Sequence, residues 1–192
     1  MNTLEAIAER RSIRRFKPDP ISEQDLRKIL LAATQAPSAK NRQPWHFFVV
    51  GPNKHDEMIR VMREGLEAFA KNIDPDTGSA KWTLEVMDQA PVTIFIFNPE
   101  GKHPFAEHTV DDQFADLVNL QSIGAAIQNM CLAAQDLGLG SLWIGDILYP
   151  YQEFCQWLGI DAQMIAALSL GYPDQNPGPR PRKSVDEVTT WM

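Results

Sequence analysis

The sequence predicts one domain of mixed helix and strand, α/β or α+β, in which a small sheet packs between helices. Three observations lead to that reading. A chain of 192 residues is long enough for one sizeable core, and neither an internal repeat nor a domain linker divides it. Four short β-rich apolar runs, His46–Val50, Val92–Phe97, Ser141–Ile144 and Met164–Leu170, are each stopped by glycine or asparagine, three of them with a proline close behind. The segments between them carry apolar residues at the helical period.

In chain order, Asn2 with Glu5 three residues on can cap a first helix, whose apolar stripe is Leu4, Ile7 and Ala8. That helix runs into Arg10-Arg11-Ser12-Ile13-Arg14-Arg15-Phe16 and must stop before Pro18. Ser22 opens a second helix, with Leu26, Ile29, Leu30 and Ala33 on one face. It ends in a polar loop from Ala36 to Trp45, bounded by Pro37 and Pro44, which leads into the first strand. Lys54 to about Ala70 and Lys81 to Gln89 read as helices, separated by a loop over Asn72–Gly78. The longest helical segment, Gln113 to about Leu137, is apolar nearly all round: Leu117, Val118, Leu120, Ile123, Ile127 and Met130 cover most of its circumference. Such a helix is buried, in a core or in a subunit interface. Tyr151–Leu158 is helical. After the fourth strand comes the proline-stiffened segment Asn176–Lys183, and the tail from Val185 to Trp191 could add to a sheet edge.

Composition narrows the function classes. With 18 Lys+Arg against 25 Asp+Glu the net charge is −7, which argues against broad nucleic-acid or anionic-membrane binding. No apolar run approaches the roughly 20 residues of a membrane span, and the N-terminus lacks the order of a signal peptide. Cys131 and Cys155 have neither metal-ligand nor CxxC spacing and read as small buried hydrophobes, so a reducing, cytoplasmic location is the expectation. His46, His55, His103 and His108 show no HxxxH or HExxH spacing, and no metal site is expected. Gly138-Leu139-Gly140 is half of a dinucleotide fingerprint and follows a helix instead of a strand. Asp111, Asp112 and Asp116 read as a solvated helix start, and Phe69, Trp82 and Phe105 as core aromatics, with the lining of a bound ligand's open side as the alternative for these three.

Two basic clusters stand out in this acidic chain, Arg10–Arg15 and Arg180–Lys183. The planar fork of arginine suits phosphate. A solvated basic helix end is the alternative for the first cluster. If the fold brings the two together, their charges repel without an anion between them. Ser38, Asn41 and Gln43 are short neutral hydrogen-bonders that suit a heterocycle or polyol, or serve an ordinary capped turn. Gly145, after Trp143-Ile144, either admits a flat ligand to the backbone or simply stops the strand.

Four motifs in order resemble the FMN-dependent nitroreductase family: Ala6-Ile7-Ala8-Glu9-Arg10-Arg11-Ser12-Ile13-Arg14; Ala36-Pro37-Ser38-Ala39-Lys40-Asn41-Arg42-Gln43-Pro44-Trp45-His46-Phe47; Ala133 through Gly145; and Leu170-Gly171-Tyr172-Pro173 with Pro179-Arg180-Pro181-Arg182-Lys183. The resemblance implies a single domain over residues 1–192, α+β, with a central, mostly antiparallel sheet flanked by helices in an intertwined homodimer. About 53–113 is the variable part and includes the substrate lid. One FMN would sit at each of two interface sites. Arg10, Ser12, Arg180 and Arg182 would hold its phosphate and ribityl chain, with help from Arg11. Arg14 would approach the pyrimidine edge of the ring. Pro37, Ser38, Asn41 and Gln43 would contact the flavin, some from the partner subunit, and the backbone at Ile144-Gly145 would lie beside N5. Arg14 and Gly145 are thus the candidate catalytic residues. NAD(P)H would be the electron donor, in a ping-pong cycle with a nitro compound, quinone or similar small acceptor. The same resemblance leaves open a specialised relative, such as a dehalogenase or flavin-destroying enzyme, for whose lid residues the sequence offers no convincing set, and a flavin-binding storage or sensing protein.

Overall fold

The computed structural model describes residues 1–192. In chain order the elements are α1 (Thr3–Glu9), α2 (Glu23–Thr34), a 3-10 turn (Ala39–Asn41), β1 (His46–Val50), α3 (Pro52–Asn72), α4 (Ala80–Gln89), β2 (Val92–Asn98), α5 (Val110–Asp136), β3 (Gly140–Ile144), a second 3-10 turn (Asp146–Leu148), α6 (Tyr151–Leu158), β4 (Gln163–Gly171) and α7 (Val185–Val188). The four strands form one sheet in the order β1-β2-β4-β3, and every pair is antiparallel. The α+β reading with a central antiparallel sheet holds.

Alternation along the central strands builds two cores. Phe95 and Phe97 of β2 point to the face covered by α3, α4 and α6, where Met58, Met62, Met87 and Phe154 are buried. Ile94 and Ile96 point to the other face, against Ile29 of α2 and Ile123, Ile127 and Met130 of α5. β2 is buried along its whole length because both of its faces are covered.

Several local expectations need correction. The tail does not extend the sheet of its own chain. Ser184 caps α7 in a reciprocal capping box with Glu187, and the helix stands exposed. The stripe Leu4, Ile7 and Ala8 of α1 is exposed, and only Ala6 of that helix is buried. α5 divides: from Ile123 onward its inner face is sealed in the core, whereas Phe114 and Leu117 are 64% and 55% exposed. No helix is long and apolar enough to cross a membrane.

Candidate active site

Only the start of the first arginine cluster is a helix end: Arg10 caps α1, its N–H donating to the Ala6 carbonyl, and the Arg11 guanidinium donates to the Ala8 carbonyl. α1 stops at Glu9, and Arg10 turns out of it with φ −54° and ψ 133°. The chain then runs extended along the edge of the sheet. Ser12 bridges to Ser141, and the Ile13 N–H donates to the Ser141 carbonyl at 2.9 Å. Further on, the Lys17 N–H donates to the Tyr172 carbonyl and the Asp174 N–H to that of Arg15, both at 2.9 Å. Edge pairing wins over continued helix because it also buries Ile13 and Phe16. Two glycines make room. Gly140 and Gly171 pair across β3 and β4, and a Cβ on them would lie 2.7 Å from Ile13 Cγ1 and 2.8 Å from Phe16 Cδ1.

With Ile13 and Phe16 turned inward, the polar residues of the segment face the proline-stiffened stretch near the C-terminus. Arg10, Arg11, Ser12 and Arg14 line one side of a cavity of about 420 Å³, and Pro177–Arg180 with Arg182 line the other. The structure thus brings together the two basic clusters, which lie at opposite ends of the sequence. No carboxylate lines this cavity, and none of its five arginines lies within ion-pair distance of an acid. Their side-chain hydrogen bonds go only to backbone carbonyls: Arg11 to Ala8 at 2.6 Å and Arg10 at 3.0 Å, Arg14 to Ser12 at 3.2 Å. In a chain with 25 acidic residues this is a pronounced exclusion. Arg15 points away, exposed, into an adjoining cavity that shares Arg14 and Arg180 and is also lined by Trp82, Glu85 and Gln175.

β3 is the edge strand on this side. The Ser141 carbonyl faces Ser12, so the peptide groups of Trp143 and the Gly145 N–H, two and four residues on, face the same open edge. The Gly145 N–H donates to nothing in the chain, whereas its carbonyl accepts from Leu148. Ile144 itself is buried.

The loop from Pro37 to Gln43 is elsewhere. It packs against α5 near the opposite end of the sheet, and none of Pro37, Ser38, Asn41 and Gln43 lines the arginine cavity of the same chain. Its backbone is specialised all the same. Lys40, Asn41 and Gln43 have φ of 53°, 55° and 53°, a region that non-glycine residues rarely occupy. The Gln43 N–H donates to Ser38 Oγ at 3.0 Å and holds the loop closed.

Two features were not legible in the motifs. Trp82 is 48% exposed, with the Arg14 guanidinium 5.3 Å from its ring centroid. Phe105 is also exposed and Phe69 half-buried against Tyr149, so the core assignment of these three aromatics is corrected. Asp146, directly after Gly145, accepts hydrogen bonds from Ser79 and Thr83. The thiols offer no nucleophile: burial raises Cys131 above its usual value and pushes Cys155 up to about 11. No three His, Cys, Asp or Glu side chains converge as a metal site would require.

Comparison with known proteins agrees with this geometry. A protein of Archaeoglobus fulgidus, named provisionally as an NADH dehydrogenase/NAD(P)H nitroreductase, is 35% identical over 177 residues, covering 88% of this chain and 84% of its own. The 5,6-dimethylbenzimidazole synthase of Rhodospirillum rubrum is 30% identical over 179 residues, 88% of this chain and 82% of that one. Among solved structures, a nitroreductase with bound FMN from Desulfitobacterium hafniense superposes with a TM-score of 0.76 at 28% identity, covering 100% of this chain and 99% of the other. The sequence pattern of the Nitroreductase family spans residues 7–172, which takes in the edge-paired arginine segment, both glycines beneath it and all four strands. The chain belongs to the nitroreductase family.

Proposed function

We propose that the chain is an FMN-dependent oxidoreductase that works as a homodimer and passes electrons from NAD(P)H to a small organic acceptor such as a nitro compound or quinone. The acid-free cavity of five arginines carries this reading, because converging guanidiniums with no internal counter-ion suit a phosphate. Arg10, Ser12, Arg180 and Arg182 would hold it, supported by Arg11. From Ser141, beside Ser12, the open edge of β3 leads four residues to Gly145, about 13 Å along an extended strand. A mononucleotide can cover that span. The residues therefore fit FMN, whose ring, when bound, supplies the hydride acceptor and electron donor. The free Gly145 N–H would orient the ring, and the Arg14 guanidinium would stabilise negative charge on its pyrimidine edge. No side-chain acid or base is required.

Two observations support the homodimer. Phe114 and Leu117 of α5, with Leu4 and Ile7 of α1, expose apolar surface that one chain leaves uncovered. The loop carrying Ser38, Asn41 and Gln43 packs on α5 but away from the arginines of its own chain, so a two-fold pairing across α5 would deliver it to the partner's cavity. The exposed tail beyond Lys183 would then lie along the partner. Within residues 53–113, the exposed Trp82 and Phe105 belong to the acceptor side.

Anaerobic mixing tests the reading. Protein reconstituted with FMN should be yellow, and NADH or NADPH should bleach it. A yellow protein that neither nicotinamide reduces would point instead to flavin storage or sensing. Failure to take up FMN would reject the cofactor assignment itself.

A further inference from the structure

We propose that Asp146 is a positioning residue, a clasp that holds α4 against the end of β3 and thereby fixes Trp82 over Arg14. The inference rests on the flavin reading above for its catalytic consequence, but not for its geometry. Asp146 is the residue immediately after Gly145. Its Oδ2 accepts from Ser79 Oγ at 2.8 Å and from Thr83 Oγ1 at 2.5 Å, across more than sixty residues of sequence. Ser79 is the N-cap of α4, yet its side chain caps nothing within the helix. Its hydroxyl is committed to Asp146 instead. The carboxylate has no Lys, Arg or His within ion-pair distance. It sits at the N-terminal end of a helix, where the dipole favours negative charge.

Thr83 is buried with Ala80, Val86 and Met87 on the inner face of α4, and its bond to Asp146 is the helix's one side-chain hydrogen bond to another element. Trp82 is next in sequence to Thr83 and lies on the outer, half-exposed side. Packing by the small and apolar inner residues sets the distance of α4 from the core. The clasp adds direction: it fixes the rotation and axial position of the first turn, and so the place of the indole. Arg14, with no acid to hold it, is steered by that indole and by the Ser12 carbonyl. One carboxylate therefore links the free Gly145 N–H to the one arginine assigned to the ring's edge, through Thr83 and Trp82. A displacement of α4 by a fraction of a helical turn would move the guanidinium while leaving Arg10, Arg11 and Arg182, which lie outside the Trp82 cavity, to hold the phosphate.

The test uses Asp146→Ala, the double variant Ser79→Ala/Thr83→Val, and Asp146→Asn, each with and without Trp82→Phe. In the protein without FMN, the near-ultraviolet dichroism lost on Trp82→Phe reports the ordered indole. Both clasp-breaking variants should abolish that difference, and Asp146→Asn, whose carbonyl still accepts both hydroxyls, should keep most of it. In the reconstituted protein the same two variants should lower kcat/KM for NAD(P)H roughly tenfold while FMN retention stays within about twofold. That loss should largely vanish in the Trp82→Phe background, because the two changes act on one path. An unchanged dichroic difference overturns the proposal. So does an Asp146→Ala defect that persists undiminished without Trp82. If wild-type flavin is not reduced at all, the flavin reading fails, and the dichroism still decides the clasp.

Discussion

The two ends of the sheet treat polar side chains in opposite ways. At the end of β2 away from the arginines, Asn98 Nδ2 donates to Gln163 Oε1 at 3.0 Å, Gln163 Nε2 donates to Asp116 Oδ2 at 3.4 Å, and the Glu100 N–H donates to Asn98 Oδ1 at 3.2 Å. His108 lies 3.4 Å from Asp116, and Asn98 is fully buried. The amides of Asn98 and Gln163 there each find a side-chain acceptor, and Asp116 meets both Gln163 and His108. At the other end five arginines share a cavity, where Arg11 and Arg14 find only carbonyl oxygens and the other three no acceptor in the chain. A closed network costs little to bury and binds nothing further. An open one is held together against its own repulsion by backbone pairing and by the fit of Ile13 and Phe16. The contrast separates a structural polar cluster from the proposed binding site more sharply than composition does, since both ends are rich in polar residues.

Overpacking the arginine end should give the largest effect. Gly171→Val drives new carbon into Phe16 and Pro91, whose atoms stand 2.8 Å from the first added carbon. The expected loss is about 3 kcal/mol, read from the denaturant midpoint, together with FMN retention, because the arginine segment lifts with Phe16. Asn98→Leu at the closed end should cost about 2 kcal/mol by stranding its amide partners, and leave FMN affinity unchanged. If Asn98→Leu strips the flavin, the two ends are not independent and the contrast fails.

Smaller in stability terms are changes to the arginines themselves. Arg10→Ala should leave thermal stability unchanged, or raise it slightly by relieving repulsion, while FMN affinity falls roughly tenfold, as expected for one charge-assisted hydrogen bond. Arg14→Ala should retain FMN better and mainly lower the flavin potential, measured by equilibration with a reference dye. Equal cofactor loss from both would collapse the division between phosphate-holding and ring-edge arginines.

Much of the fold was legible because its signals are local. The strands are bracketed by proline, glycine and asparagine, and α6 was read at Tyr151–Leu158, where it lies. What failed was decided by distant partners. Arg10 could have continued α1, and nothing nearby in sequence says that Ser141 waits to accept from Ile13. Asp116 looked like part of a solvated helix start together with Asp111 and Asp112, but faces His108 and Gln163, which no spacing reveals. Trp82 over Arg14 is likewise a meeting of residues far apart in the chain. α7 is different: Ser184 and Glu187 spell a capping box, a local signal that outweighs the strand-like tail. At the site, the residue types alone suggested an anion, and the meeting of the two arginine clusters was legible only through the family resemblance, since no local spacing joins residues 10–14 to 180–182.

The subtlest test lies beside the closed end. The Tyr151 hydroxyl donates to the Ala162 carbonyl at 3.2 Å and accepts from the Met164 N–H at 3.0 Å, flanking Gln163 in β4. Burial pushes this phenol up from 10.0 to about 12, only partly offset by the Met164 hydrogen bond. A group whose pKa is raised on folding contributes stability that is complete below its unfolded value and is lost as the pH climbs through the folded one. Tyr151 should therefore help hold the fold below pH 10 and surrender that help between about pH 10 and 12. Cys155 is also raised, to about 11, so both proteins compared should carry Cys155→Ala. In that background the rise owed to Cys155 is gone and the larger part owed to burial remains, so Tyr151→Phe should be less stable near neutral pH, through the lost Met164 partner, yet lose less as the pH climbs above 10. Denaturant midpoints at successive pH values measure the difference. Parallel curves would mean that the phenol is not closed off from water, and that the tight end of the sheet stops short of Tyr151.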